Sequence, residues 1–245
     1  MKTSNKFLLT AVLLLVISVG IYDFQLKAEY LKGNYKNPYN GFVNLNFSNF
    51  KVINLSSATA VNIMLVKGPF KVLADPDAIW FLKTEQRRDT LFISAFFKDN
   101  FHNVRAPNVL YISMPQLDAF HADAKYKAGE GQITDTTAAA DFKWRPTIIC
   151  GFSGDKLNIV QDHASTILLK NNKFNILNAT TGISNGSASN LSIETGNQFE
   201  KTNLDIRNKS RLWIKDDSLN NISYKLADSA KLILNGNTRM ISNKK

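Results

Sequence analysis

The chain has 245 residues, 44% of them hydrophobic, and carries 30 Lys and Arg against 20 Asp and Glu, a formal charge of +10. That length and apolar content exclude a disordered chain and allow one domain with its own core. The lone cysteine, Cys150, excludes an internal disulfide, and the scattered basic residues include no basic arm, zinc finger or RNA-binding signature.

Taken in order, the start is Met1-Lys-Thr-Ser-Asn-Lys6, followed by an uncharged run from Phe7 to Tyr22 that Asp23 ends. A positive end followed by an apolar stretch is an export signal, and the lysines predict that everything downstream is translocated. The nearest small-x-small site, Ser18-Val-Gly20, is poorly defined, so residues 1–22 read as an uncleaved signal-anchor, and with no cysteine directly after the run a lipoprotein is not indicated. The alternative is a cleaved signal peptide and a secreted head. Residues 23–46 are charged, aromatic and turn-rich, a juxtamembrane helix or stalk.

Folded structure is expected from residue 47 to 240, with a polar tail at 241–245. Val61-Asn-Ile-Met-Leu-Val66 predicts a strand and Lys67-Gly-Pro69 a turn, with Phe70-Lys-Val-Leu73 as its hairpin partner. Asp75-Pro-Asp77 opens a short segment, and Glu85 to Asp89 reads as a charged turn before Thr90-Leu-Phe-Ile-Ser94. Further strands are expected at Val109–Ile112 and Leu117–His121. The strip from Thr134 to Pro146 reads as an inserted loop.

From Leu157 an apolar-polar-apolar phrase returns: Leu157-Asn-Ile159, Phe174-Asn-Ile176, Leu191-Ser-Ile193, Leu204-Asp-Ile206 and Ile222-Ser-Tyr224. The steps are 17, 17, 13 and 18 residues, the spacing of short coils that bury their apolar faces only by stacking. Asn, Asp, Ser and Gly between the phrases suit corners. The expected fold class is therefore all-β: a parallel β-helix or solenoid of short coils with an antiparallel N-terminal part, preceded by one signal or transmembrane helix. An antiparallel sandwich is the structural alternative.

Strand-turn-strand through Gly68, Asp89-Thr-Leu-Phe-Ile93, Val109-Leu-Tyr-Ile-Ser-Met-Pro-Gln-Leu117 and the Leu-x-Ile phrases together resemble the bacterial auto-transporter adhesin head domain family, also called head GIN, over residues 47 to 236. The resemblance implies an exported β-solenoid of largely unassigned role. The family's Ser-Gly-Ala/Ser corner is degenerate here, as in Asp162-His-Ala-Ser165 and Asn208-Lys-Ser210.

His102, His121 and His163 lie in unrelated segments without a second ligand at metal spacing, and read as surface or turn residues. Cys150 in Ile148-Ile-Cys-Gly-Phe152 reads as a buried thiol. Asp75, Asp77, Asp216 and Asp217 fall in turns and form no acidic ladder with Asp205. No catalytic residue, metal or cofactor is expected. Residues after each phrase, Val160, Leu177, Glu194, Arg207 and Lys225, would form an outward ladder with Glu194 beside Arg207. Val160 and Leu177 would then leave an apolar patch for the 134–146 loop, the early strands or a partner to cover. Trp213 with Arg207, Lys209, Arg211 and Lys215 is the candidate binding face, an aromatic flanked by cations.

The functional expectation is an exported, membrane-tethered interaction or adhesion-type domain, not an enzyme, in the cell envelope. Its partner would be an envelope protein or glycan and, through the N-terminal helix, the membrane, but not nucleic acid. A periplasmic scaffold is the alternative and a polysaccharide-active β-helix enzyme the third reading.

Overall fold

The protein's structure is a computed structural model and describes residues 2–99, 109–215, 219 and 221–235. The chain divides into two compact units, Met1–Gly41 and Phe42–Lys245.

The first unit is one helix, α1 (Thr3–Lys32), with no buried residue. Its charges after Lys6 begin at Asp23, which leaves an uncharged, largely apolar surface on every side from Phe7 to Tyr22. Thirty residues rise about 45 Å, more than the ~30 Å hydrocarbon core of a bilayer. Gly33 ends the helix at φ 70, a backbone open to glycine, and its N–H donates to the Tyr30 carbonyl. The expected stalk is thus helical as far as Lys32 and continues in a short 3-10 turn at Asn34–Lys36.

The second unit is built from β1 (Val43–Asn44), β2 (Val52–Leu55), β3 (Ile63–Lys67), β4 (Lys71–Ala74), β5 (Leu82–Arg87), β6 (Thr90–Phe97), β7 (Leu110–Met114), β8 (Ala119–Ala122), β9 (Lys125–Ala128) and β10 (Gly131–Thr134). It continues with β11 (Thr147–Cys150), β12 (Ser153–Gln161), β13 (Thr166–Lys170), β14 (Lys173–Thr181), β15 (Asn190–Ile193), β16 (Gln198–Ile206), β17 (Arg211–Ile214), β18 (Ile222–Leu226) and β19 (Lys231–Leu234). One sheet runs β1-β4-β7-β3-β11-β13-β15-β17-β19 and the other β10-β9-β6-β2-β8-β12-β14-β16-β18, with β5 added beside β6. From β11 onward successive strands alternate between the sheets.

The pairs β1–β4, β4–β7, β5–β6 and β9–β10 are antiparallel, whereas β11 to β19 pair in parallel. The expected parallel solenoid is therefore met at a coarser level. The protein is mostly β with one N-terminal apolar helix, and its sheets are mixed.

Alternation aims every second side chain inward. Leu157, Leu177, Thr202 and Ile222 stand in register on one sheet, and Ile167, Leu191, Leu212 and Leu232 on the other. Phe50, Phe81, Phe97 and Phe120 fill the earlier part of the same core. Corners are closed by left-handed residues, among them Gly151, His163, Asn171, Gly182, Gly196 and Asn208. Buried amides satisfy the main chain there: Asn172 accepts from Phe152 N–H at 3.1 Å and donates to the Ile149 carbonyl at 2.9 Å, and Asn197 donates to the Leu169 carbonyl at 2.9 Å.

Several sequence expectations change. β3 and β4 do not form a hairpin, because β7 enters between them, parallel to β3 and antiparallel to β4. Glu85 to Arg87 belong to β5 and pair with β6, so the turn narrows to Arg88 and Asp89. The repeat also differs. Leu191-Ser-Ile193 lies on β15, in the opposite sheet from the other four phrases, and Phe174 stands opposite Gly154 rather than Leu157. Registered positions 157, 177, 202 and 222 step by 20, 25 and 20 residues, three circuits through both sheets where the phrases suggested four.

The outward ladder dissolves with that register. Val160 faces Thr180, and Leu177 points into the core, so the two leave no shared apolar patch. Glu194 pairs with Lys215 at 2.7 Å and Arg207 with Asp205, not with each other. Cys150 is half-buried rather than buried. His102, Asp216, Asp217 and the polar tail lie outside the described residues.

Candidate functional site

The loop from Thr134 to Pro146 is a strap laid against the outer face of the first sheet. Thr137 bridges to Ala188, and Asn190 Nδ2 donates to the Ala139 carbonyl at 2.9 Å. Arg211 fastens the strap from β17: Nε donates to Asn190 Oδ1 at 2.8 Å, and the guanidinium reaches the Ala139 and Ala140 carbonyls. Its plane also lies 5.0 Å from the Phe142 ring centre. Phe142 is buried and meets Trp213 edge-on at 5.3 Å. Lys215 Nζ covers the other part of Trp213 at 3.8 Å from the ring centre, and Trp213 Nε1 donates to Asn235 Oδ1 at 3.1 Å.

The structure therefore brings Arg211, Trp213 and Lys215 together, as alternation along one strand requires, and commits all three to internal contacts. Arg207 and Lys209 are exposed at the neighbouring corner, with Arg207 held by Asp205.

Past Phe142 the strap turns sharply. Asp141 Oδ1 accepts from Lys143 N–H at 2.8 Å, and the Asp141 carbonyl accepts from Trp144 N–H, a local turn that aspartate favours. Trp144 emerges 65% exposed. Arg145 follows at φ 46 and precedes Pro146, a position that ordinarily takes extended backbone. Its side chain is half-buried, and burial pushes the guanidinium below its ordinary value. Nη2 is buried without a hydrogen-bond partner, and Arg145 makes no ion pair among the described residues.

Trp144 and Arg145 line a cleft of about 540 Å³ whose other walls include Thr59, Thr136, Thr137 and Thr166. Thr59 Oγ1 is likewise buried without a partner. A second groove, of about 620 Å³, runs from Arg145 over Ile148 and Leu168 to Lys170 and Glu194.

Sequence reasoning placed the binding aromatic at Trp213 and missed Trp144. The cue it used, an aromatic between cations, is equally present in Lys143-Trp-Arg145. Alternation showed only that Trp213 points outward, not that Phe142 covers it.

A polar cluster also forms where none was expected. His163 Nδ1 lies 2.6 Å from Asp123 Oδ1 and 3.5 Å from Asp162 Oδ2, close enough for the three to share a cation. Asp123 is already engaged by Ala124 N–H and Lys125, and Asp162 by the Ser184 main chain and hydroxyl. Burial pushes the Asp162 carboxyl up, but the bonds from Ser184, His163 N–H and Ser187 outweigh it and hold the group below its ordinary 3.8. The cluster reads as a corner lock.

No family model and no curated protein matches the chain. Among solved structures it is similar to a "putative adhesin" from Bacteroides fragilis, with 12% identity, a TM-score of 0.39, 79% of this chain and 95% of that one covered. A second adhesin so named, from Parabacteroides distasonis, gives 11% identity, a TM-score of 0.43 and 78% and 71% coverage. A "putative lipid binding protein" from the same species gives 10%, 0.38, and 83% and 96%. At these scores the likeness is loose.

Proposed function

We propose that the chain is an exported, membrane-tethered interaction domain of adhesion type, without catalytic chemistry. Helix α1 would hold it in the envelope membrane, and the β unit would present the Trp144–Arg145 strap to an envelope protein or glycan. The observation that carries this reading is the strap itself, where an exposed indole stands beside a half-buried guanidinium whose Nη2 has no hydrogen-bond partner among the described residues. Exposed aromatics and arginines anchor interfaces because they add large contact area and directed hydrogen bonds at small entropic cost. In the same reading the circuits from β11 to β19 are coils of a two-sheeted β-solenoid, and the chain stands with the head GIN domains. Recognition would then be geometric, a rigid stack holding the strap in place.

Two measurements test it. In membranes of the native host, the mature chain is expected at full mass with its first peptide intact, and a soluble chain lacking its first twenty-odd residues would remove the tether. Immobilised full-length protein is expected to retain native envelope material, and Trp144→Ala to lose most of it. Equal retention by Trp144→Ala would remove the strap from the interaction.

A further inference from the structure

We propose that the cleft between Thr59 and Arg145 binds a carboxylate-bearing sugar, a hexuronate unit of an acidic glycan. This rests on the reading of the β unit as an interaction domain and names the chemistry of its ligand.

The argument starts from Arg145. A guanidinium moved out of water without a counterion is strongly disfavoured, and proteins ordinarily pair or hydrogen-bond such a group. Here burial depresses its basicity, one nitrogen is buried with no acceptor, and no carboxylate among the described residues pairs with it. The backbone beneath it is held at φ 46, immediately before a proline, where a long side chain is disfavoured. Strain kept beside an unsatisfied charge is the usual signature of a preset binding group. The fork of an arginine fits a carboxylate with two parallel hydrogen bonds.

The rest of the wall selects the molecule that carries the carboxylate. The Thr59 hydroxyl is buried and unpaired, and Thr136, Thr137 and Thr166 add hydroxyls that can donate to or accept from ring hydroxyls. Among the described residues Asp135 is the one carboxylate in the lining, an acceptor for those hydroxyls. Its charge, after burial, also helps push the Tyr126 phenol upward. Trp144 at the cleft offers an exposed apolar ring face against which a pyranose can stack. A cleft of about 540 Å³ has room for one sugar and part of the next. The net charge of +10 favours the approach of a polyanionic chain. Inorganic phosphate would engage the arginine and leave the indole and threonines unused.

The test is calorimetric titration of the full chain in detergent with an oligogalacturonate, the neutral oligogalactose of equal length, and a sulfated oligogalactose. Binding of the uronate is expected, with affinity falling tenfold or more in Arg145→Met, the loss of a charge-assisted pair. Uronate titration is also expected to change the Trp144 fluorescence of the unmodified protein, a change that Trp144→Phe removes. That second readout holds even where Arg145→Met does not fold. Absence of uronate binding, equal binding of the neutral or sulfated chain, or undiminished binding by folded Arg145→Met would each overturn the proposal. If the uronate does not bind while immobilised protein still retains envelope material, the ligand assignment falls alone. If neither is observed, the interaction reading falls with it.

Discussion

The part of the β unit up to β10 and the part from β11 onward solve the same problem by different means. The earlier part caps its parallel pairs with antiparallel ones and packs large rings: Phe81 stacks on Phe97 at 4.7 Å, with Trp80 and Tyr126 against the edges of Phe97. The later part has a mostly aliphatic interior in which Phe152, Phe174 and Phe199 are also buried, and repeated corners, with Asn172 and Asn197 bonded to each other and to main chain on adjacent circuits. In the first, stability is concentrated in a few side chains. In the second it is distributed, since each circuit is bonded chiefly to its neighbours.

The sharpest way to break that contrast is Phe97→Ala. Removing a fully buried ring from a stacked cluster costs about 3–5 kcal/mol, and global denaturant unfolding monitored by circular dichroism should shift by that amount. A shift under ~1 kcal/mol would mean that the rings are not what holds the early part.

Asn172→Ala is expected to cost less, about 2–3 kcal/mol, by leaving the Phe152 N–H and the Ile149 carbonyl without their partner. Its effect should be local: hydrogen exchange should accelerate at the corners after β11 and β13 and stay unchanged around Phe97. Acceleration across the whole β unit would erase the distinction between the two parts.

The smallest effect is on acid response. Burial pushes His121 below its ordinary 6.5, so the folded state binds that proton less readily than the unfolded one. Its contribution is present above pH 6.5 and is lost as pH falls through the lowered value. Asp162, held below 3.8, contributes above that pH and loses its contribution as pH falls further, through the folded value. Melting temperature should therefore decline in two stages on acidification, and His121→Gln should flatten the first alone.

How much of this the residues reveal differs along the chain. The apolar run from Phe7 and the alternation in Leu204-Asp-Ile206 read directly, because helix and strand periodicity are local properties. The corners at Asp162-His-Ala-Ser165 and Asn208-Lys-Ser210 are legible for the same reason, and His163 and Asn208 there are left-handed. The assignment of strands to sheets was not. Leu191-Ser-Ile193 and Leu204-Asp-Ile206 alternate alike, yet they lie on opposite sheets, and alternation carries no sign for which sheet a strand joins. The β3–β4 hairpin failed because Lys67-Gly-Pro69 reads as a tight turn, whereas the partner that enters between its arms comes from more than forty residues later. At the candidate site, the loop itself was legible and its contacts were not. Nothing in Asp141-Phe-Lys-Trp144 tells which of its two rings is buried.

The matched register has a consequence for how such a chain changes length. Lys173 and Gln198 occupy equivalent places on adjacent strands, and one full turn of the chain through both sheets lies between them. Excising 173–197 would join Asn172 to Gln198 and set β16 where β14 had been, with each corner meeting a corner. Removing an odd number of residues from within a strand would instead turn the core side chains beyond the cut outward. Relatives that differ in size should therefore differ by whole turns of about twenty residues, as beads are added to or taken from a string, and the strap's footholds at Ala188 and Asn190 mark the bead that cannot be lost without releasing Trp144 from its setting.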